Sequence, residues 1–249
     1  MFVRRQLFFL LKLPFLLLLV LARRRPGSEL GRPLGELFRF LAQPKATLAL
    51  SLAIVAVFVY ELFVPETLLS LAFQPRHIIE LRLAPIVASW FMHLSLAHLL
   101  GNLLFLYVFG RVVEAELGSA KLALVYFSSA IISTLIAAAF DQGGIGASGA
   151  IAGLIATAIL LRPFYITYIL AGIPLPILLL GWAAIIGDVT GLLAPRQSNI
   201  GYAAHIGGYA ALTLLVWLLK SERARFKRGL VINLVFVLVM ALGYLLLAR

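Results

Sequence analysis

The chain has 249 residues, of which 63% are hydrophobic and 12% charged, with a mean hydropathy of +1.05. A soluble domain of this length has too much surface to be so apolar, so the class is a polytopic helical membrane protein. The net charge of +11 would suggest nucleic acid in a soluble protein; here most of it sits in two clusters beside apolar runs, which points to a membrane surface and to no nucleic-acid partner.

In chain order, the stretch 7–22 ("LFFLLKLPFLLLLVLA") is apolar but short, with Lys12 and Pro14 inside it. Arg23, Arg24 and Arg25 follow where small residues would precede a signal cleavage site, so a membrane-lying segment is favoured over a signal peptide or an extra span. The first clear span is 46–64, followed by 88–110, 119–140, 148–162, 166–187, 201–219 and 230–248. This divides the chain into a basic segment 1–45, a six-helix core 46–220, and a basic loop with a seventh helix, 221–249. Placing residues 1–45 in the cytoplasm and alternating from there puts 17 of the 21 lysines and arginines on the cytoplasmic side. The expected setting is a bacterial cell membrane. There is no cysteine, so thiol nucleophiles and thiolate metal sites are excluded.

Polar residues inside such a chain carry information because they are costly there. "HLSLAHLLGN" supplies His93, His98 and Asn102; His98 and Asn102, four apart, share a helix face, whereas His93 points elsewhere. "GIGASGAIAG" places Ser148 among glycines and alanines, and "AHIGG" contains His205. Depth relates them. Ser148 lies 14 residues from Arg162, His205 15 from Lys220 and His98 13 from Arg111. At 1.5 Å per residue these heights are about 21, 22 and 20 Å, one level beneath the outer surface of a roughly 30 Å core.

Ser148 is therefore expected to open a helix that begins inside the membrane, entered through "DQGGIGA", whose glycines permit the tight approach. Backbone amides at that helix start favour a developing oxyanion. Gly149 and Gly153 form one small stripe, and Gly201, Ala204, Gly208 and Ala211 a second around His205, so the two helices can approach until hydroxyl and imidazole meet. Asp141 and Asp188 fall at outer ends, where solvated loop or capping roles are expected; "HExxH" is absent and no metal or cofactor is required.

Together "HLSLAHLLGN", "GASGAIAGL" and "AHIGG", in this order on the second, fourth and sixth core helices, resemble the rhomboid family of intramembrane serine proteases. The resemblance implies an endopeptidase acting on transmembrane segments of protein substrates within the lipid bilayer. Ser148 would be the nucleophile and His205 the general base, a dyad with no acidic third member. His98, Asn102 and the Ser148 backbone amide would form the oxyanion hole. His93, Gly146, Gly149 and Gly208 would be structural residues near the site, and Glu114 would stabilise the fold from the cytoplasmic end of the second helix. Three features depart from the family pattern. Arg82 and Trp90 do not reproduce its Trp-Arg pair, Ala152 replaces an aromatic that packs on the histidine, and Leu212 replaces a glycine. The alternatives are a rhomboid-like protein that binds membrane clients without cutting them, and a transporter with Glu61 as its nearest coupling carboxylate. The oligomeric state is not legible in the sequence.

Overall fold

The computed structural model describes residues 42–169, 173–194 and 200–247, so the stretch 7–22 lies outside the described residues. Helix α1 (Lys45–Phe63) leads into three short helices, α2 (Glu66–Leu71), α3 (Arg76–Ile79) and α4 (Leu83–Ser89). Helix α5 (Leu96–Phe105) continues through a π-helical turn (Leu106–Gly110) into α6 (Arg111–Leu117). Then follow α7 (Ser119–Ala139), α8 (Ser148–Leu161), a hairpin of β1 (Ile166–Ile169) and β2 (Ile173–Pro176), and α9 (Ile177–Leu193). Helix α10 (Tyr202–Leu218), a 3-10 turn (Lys220–Glu222) and α11 (Arg223–Leu247) complete the described chain.

Among the described residues, four runs are long and apolar enough to cross a membrane, Lys45–Phe63, Leu96–Leu117, Ser119–Ala139 and Lys220–Leu247, with α8, α9 and α10 as shorter apolar helices. The protein is an all-α polytopic membrane protein, and large apolar side chains such as Leu52, Trp217, Leu234 and Leu246 face outward, as lipid-facing helices require.

Two expected spans differ in detail. Residues 90–95 are not helical, so the run expected at 88–110 begins at Leu96 and extends to Leu117. Ile166–Ile169 and Ile173–Pro176, expected within a span, pair as antiparallel strands, with Ile166 opposite Pro176 and Ile169 opposite Ile173. Pro174 and Pro176 lack the N–H a helix interior needs, and the branched residues around them favour extended backbone. Pro176 instead stands as the N-cap of α9.

Helix α8 is the centre of the molecule. All residues from Gly149 to Leu161 are buried, as expected of a helix apolar around its whole circumference. At one end of the bundle, Glu116 pairs with Arg162 and Arg225, while Glu222 bonds to Lys121 at 2.9 Å and to Arg225 at 3.0 Å. Helix α11 closes on α8 through Gly229, where a Cβ would meet the Leu160 carbonyl, and Asn233, whose amide donates to the Ile159 carbonyl at 3.0 Å.

Glu114 connects α6 to α1. Its carboxylate accepts from the Ala46 and Thr47 backbone amides at 2.8 and 2.9 Å, from the Thr47 hydroxyl at 2.7 Å and from the Ser119 hydroxyl at 2.6 Å. Pro44, the N-cap of α1, cannot satisfy those first-turn amides; a carboxylate borrowed from another helix does, where the helix dipole favours negative charge. Glu114→Ala should therefore lower stability by about 3 kcal/mol, since several charge-assisted bonds to buried donors vanish together. Ser119→Ala, which removes one donor, should cost about 1 kcal/mol. Thermal unfolding in detergent checks both the size and the order.

Candidate active site

Three chemistry-bearing side chains stand in the first turns of three helices. Ser148 is the first residue of α8, His98 the third of α5 and His205 the fourth of α10. All three are half-buried, neither sealed in the core nor fully open. Ser95 caps α5, its hydroxyl accepting from the His98 amide at 3.2 Å. The N-cap of α8 is Ala147, which has no polar side chain to satisfy the amides of the serine's turn.

The loop before Ser148 is fastened to the segment between α1 and α5. Gly144 and Phe73 exchange backbone bonds of 2.9 and 3.1 Å, and the Gly146 amide donates to the Ser89 carbonyl at 2.8 Å. Gly146 has φ +134°, a conformation that L side chains rarely adopt. Its α-carbon also faces the site: a Cβ built there would lie 2.9 Å from His98 Cε1, 3.0 Å from His98 Nε2 and 3.7 Å from Ser148 Oγ. His98 and Ser148 therefore converge on one glycine.

The expected small-residue contact between α8 and α10 is present. A Cβ on Gly208 would collide with the Gly149 carbonyl and reach within 2.8 Å of the Ala152 Cβ. A Cβ on Gly149 would lie 3.4 Å from the Ala204 carbonyl, so the residue after Ser148 faces the residue before His205. Gly201 is not part of this stripe; it is the N-cap of α10, and only the Ala204 Cβ lies near it. The same two glycines of α8 are closer still to α7, where Cβ atoms on Gly149 and Gly153 would strike the Ser133 and Ser129 hydroxyls.

His98 and His205 are near enough to interact electrostatically. His93 is buried beside His98, with its ring centroid 4.8 Å from that of His98, its Nδ1 3.0 Å from the Phe91 carbonyl, and its backbone amide donating to Glu61 Oε2 at 3.3 Å. Glu61 is thus a buried partner of the His93 backbone. Asn102 is buried, and its amide donates to the His98 carbonyl at 2.9 Å, one turn earlier in the same helix. Arg82 and Trp90 serve separate ends of α4: Arg82 lies 3.9 Å from Glu80, while the Trp90 indole donates to the Thr134 hydroxyl on α7 at 2.9 Å. Leu212 packs against the apolar core.

Asp188 departs most from expectation. It is neither a solvated loop residue nor a cap. From α9 its Oδ1 lies 2.8 Å from His205 Nδ1, while Oδ2 accepts from the Tyr209 hydroxyl at 2.6 Å. The run of mostly apolar residues around it hides this, because the rotation of α9 about its axis decides whether Asp188 faces lipid or histidine.

The fold and motifs agree with the comparisons. The Rhomboid domain model matches residues 80–222, and the chain belongs to the rhomboid family. It is 30% identical over 168 residues to RHOMBOID-like protein 12, mitochondrial, of Arabidopsis thaliana, covering 59% of this chain and 48% of that one. It is also 30% identical over 151 residues to Rhomboid-like protein 11, chloroplastic, of the same plant, covering 54% and 52%. A similar match, 30% over 138 residues, covers 54% of this chain and 66% of YdcA of Bacillus subtilis, named as a candidate rhomboid protease. The chain spans about half the length of the first two.

Gly146→Ala should cost about 1–3 kcal/mol, the usual penalty for a side chain forced into this backbone region, and should displace the His98 ring. Gly101→Ala is the matched control. Nothing lies within 4 Å of its added Cβ, so stability should be unchanged or rise by up to about 1 kcal/mol. Paired detergent melting curves test the contrast.

Proposed function

We propose that the protein is an intramembrane serine endopeptidase in which Ser148 attacks and His205 acts as its base. The observation that carries this reading is the convergence of the Ser148 hydroxyl and the His98 ring on Gly146, beside the glycine contact that draws α10 toward α8. Helix α8 has 14 residues, about 21 Å of rise, so its serine end falls short of a roughly 30 Å core and lies within it.

In the proposed reaction, a substrate transmembrane helix unwinds locally and Ser148 Oγ attacks the exposed peptide carbonyl as its proton passes to His205. The tetrahedral oxyanion is held by the Ser148 backbone amide, His98 and Asn102. An amide nitrogen carries two N–H groups, so the Asn102 bond to the His98 carbonyl leaves one for the oxyanion. His205 returns the proton to the leaving amine, and water then hydrolyses the acyl-enzyme by the same route. No step calls for a metal or cofactor.

The lysine and arginine asymmetry supports a topology with the Glu116–Arg162–Arg225 end in the cytoplasm and the serine pocket opening to the outer side of the membrane. The same reading takes residues 46–220 as a core of six spans and 221–249 as a basic loop with a seventh helix. The protease reading is supported by the family and by the name of the Bacillus relative.

The test is incubation of the purified full chain with a panel of single-span substrates. Wild type should cleave at least one, and Ser148→Ala and His205→Ala should lose at least about 10³-fold in kcat. A serine-directed fluorophosphonate should label wild type and not Ser148→Ala. Comparable cutting by the variants would overturn the assignment; a folded wild type that neither cuts nor labels would favour a client-binding protein.

A further inference from the structure

We infer that Asp188 is the positioning residue for His205, so that the site works as a Ser148–His205–Asp188 triad. This rests on the protease reading and adds a third group to it.

Both oxygens of the Asp188 carboxylate are engaged by α10: Oδ1 by His205 Nδ1 at 2.8 Å and Oδ2 by the Tyr209 hydroxyl at 2.6 Å. His205 and Tyr209 are four residues apart, on one face of α10, so the carboxylate bridges consecutive turns. A carboxylate only accepts, so a bond to Nδ1 requires the proton to sit on Nδ1. In a neutral imidazole that leaves Nε2 as the unprotonated nitrogen, the form a base must have. The side chains of His205 and Asp188 are 16% and 15% exposed, which limits competition from water for this bond.

Little else fixes the ring. Ala152, one turn into α8, is buried against Gly208 and presents no ring to stack on the imidazole. Tyr202 meets it edge-on, centroids 6.4 Å apart, which restrains tilt without selecting a tautomer. In the acylation step the proton leaves Ser148 Oγ for His205 Nε2 as the Oγ–carbonyl bond forms. Nδ1 keeps its own proton, and the Asp188 carboxylate faces the resulting imidazolium without taking a proton from it. Collapse breaks the peptide C–N bond, and the Nε2 proton goes to the leaving amine. Asp188 thus acts through His205 and does not touch substrate.

A plain interhelical clamp between α9 and α10 would use the same two bonds, so the test needs readouts a clamp would not move. In full-length protein with ¹⁵N-labelled histidine, the His205 resonance, assigned by its loss in His205→Gln, should show the proton on Nδ1. Asp188→Asn can turn its amide toward Nδ1 and should shift His205 to the Nε2-protonated form. It should lower kcat at least about tenfold, with KM within about twofold and an unchanged melting temperature; for comparison, an altered tautomer in a soluble serine protease costs about 10⁴. Asp188→Ala should also lower kcat.

Wild-type His205 protonated on Nε2 would overturn the proposal, and so would a folded Asp188→Asn with kcat within about threefold of wild type. If both variants fail to fold, the wild-type tautomer decides. The two readings fail separately: wild type that neither cuts nor labels at Ser148 defeats the protease assignment, whereas wild type that cuts with an indifferent Asp188 defeats only the triad.

Discussion

The structure depends on a central helix that is too short to cross the bilayer and is buried on every side. Helix α8 has 14 residues, and each one after Ser148 is buried. Lipid cannot line its serine end, so the space there must be filled by protein or water. The neighbours come close because side chains are missing at the contacts: the Gly149 carbonyl meets Gly208, and Gly149 and Gly153 leave room for the Ser133 and Ser129 hydroxyls. Between helices in lipid there is no hydrophobic driving force, and such contacts supply dispersion and backbone dipole contact in its place. Any side chain larger than hydrogen at Gly208 would push α10 away, and His205 travels on α10.

The convergence of three helix N-termini follows from the same constraint. Helices α5, α8 and α10 present Ser148, His98 and His205 within their first turns, so one end of the bundle collects unsatisfied amides and polar side chains together. The loop before Ser148 is held there by backbone bonds to Phe73 and Ser89, which lie in the connection folded into α2, α3 and α4. That connection therefore shapes the entrance to α8 as well as joining α1 to α5.

Much of this was legible in the sequence. Hydropathy gave the apolar runs, and the spacing of Ser148, His98 and His205 from flanking cations predicted a common depth, consistent with the first-turn positions they occupy. The spacing of Gly149 and Gly153 predicted a close helix contact. Contacts set by helix rotation were not legible. Asp188 and His205 are 17 residues apart on different helices, and periodicity alone does not orient α9, which is apolar on most of its surface. The strand pair Ile166–Ile169 and Ile173–Pro176 was hidden for the opposite reason. Its strands are as apolar as the helix that follows, so hydropathy sees one continuous run, and only Pro174 and Pro176 argue against it. The role of Glu114 was anticipated from family resemblance; that it caps α1 required knowing which amides lay across from it.

The acidic residues show how a chain of net charge +11 holds its helices together. Of its ten aspartates and glutamates, Glu61, Glu114, Glu116, Asp188 and Glu222 each bond to a different element of the fold. In a bilayer an ionisable group facing lipid is strongly disfavoured, so a carboxylate inside the bundle is retained where donors surround it. Glu114 has four donors and Asp188 two, from the backbone, hydroxyls and an imidazole. Glu116 and Glu222, at the arginine-rich end, are paired with full charges. Asp188, on the helix beside His205, thus meets polar donors, whereas at the opposite end Glu114 meets polar donors and Glu116 and Glu222 meet cations. Donors can hold an imidazole or a helix end in register without placing a fixed cation beside Ser148 and His205, where it would compete with His205 for the Asp188 carboxylate. Among the described residues, Lys121, Arg162 and Arg225 are paired with carboxylates at the other end of the bundle, and the polar groups around Ser148 are the histidines, Asn102 and Asp188.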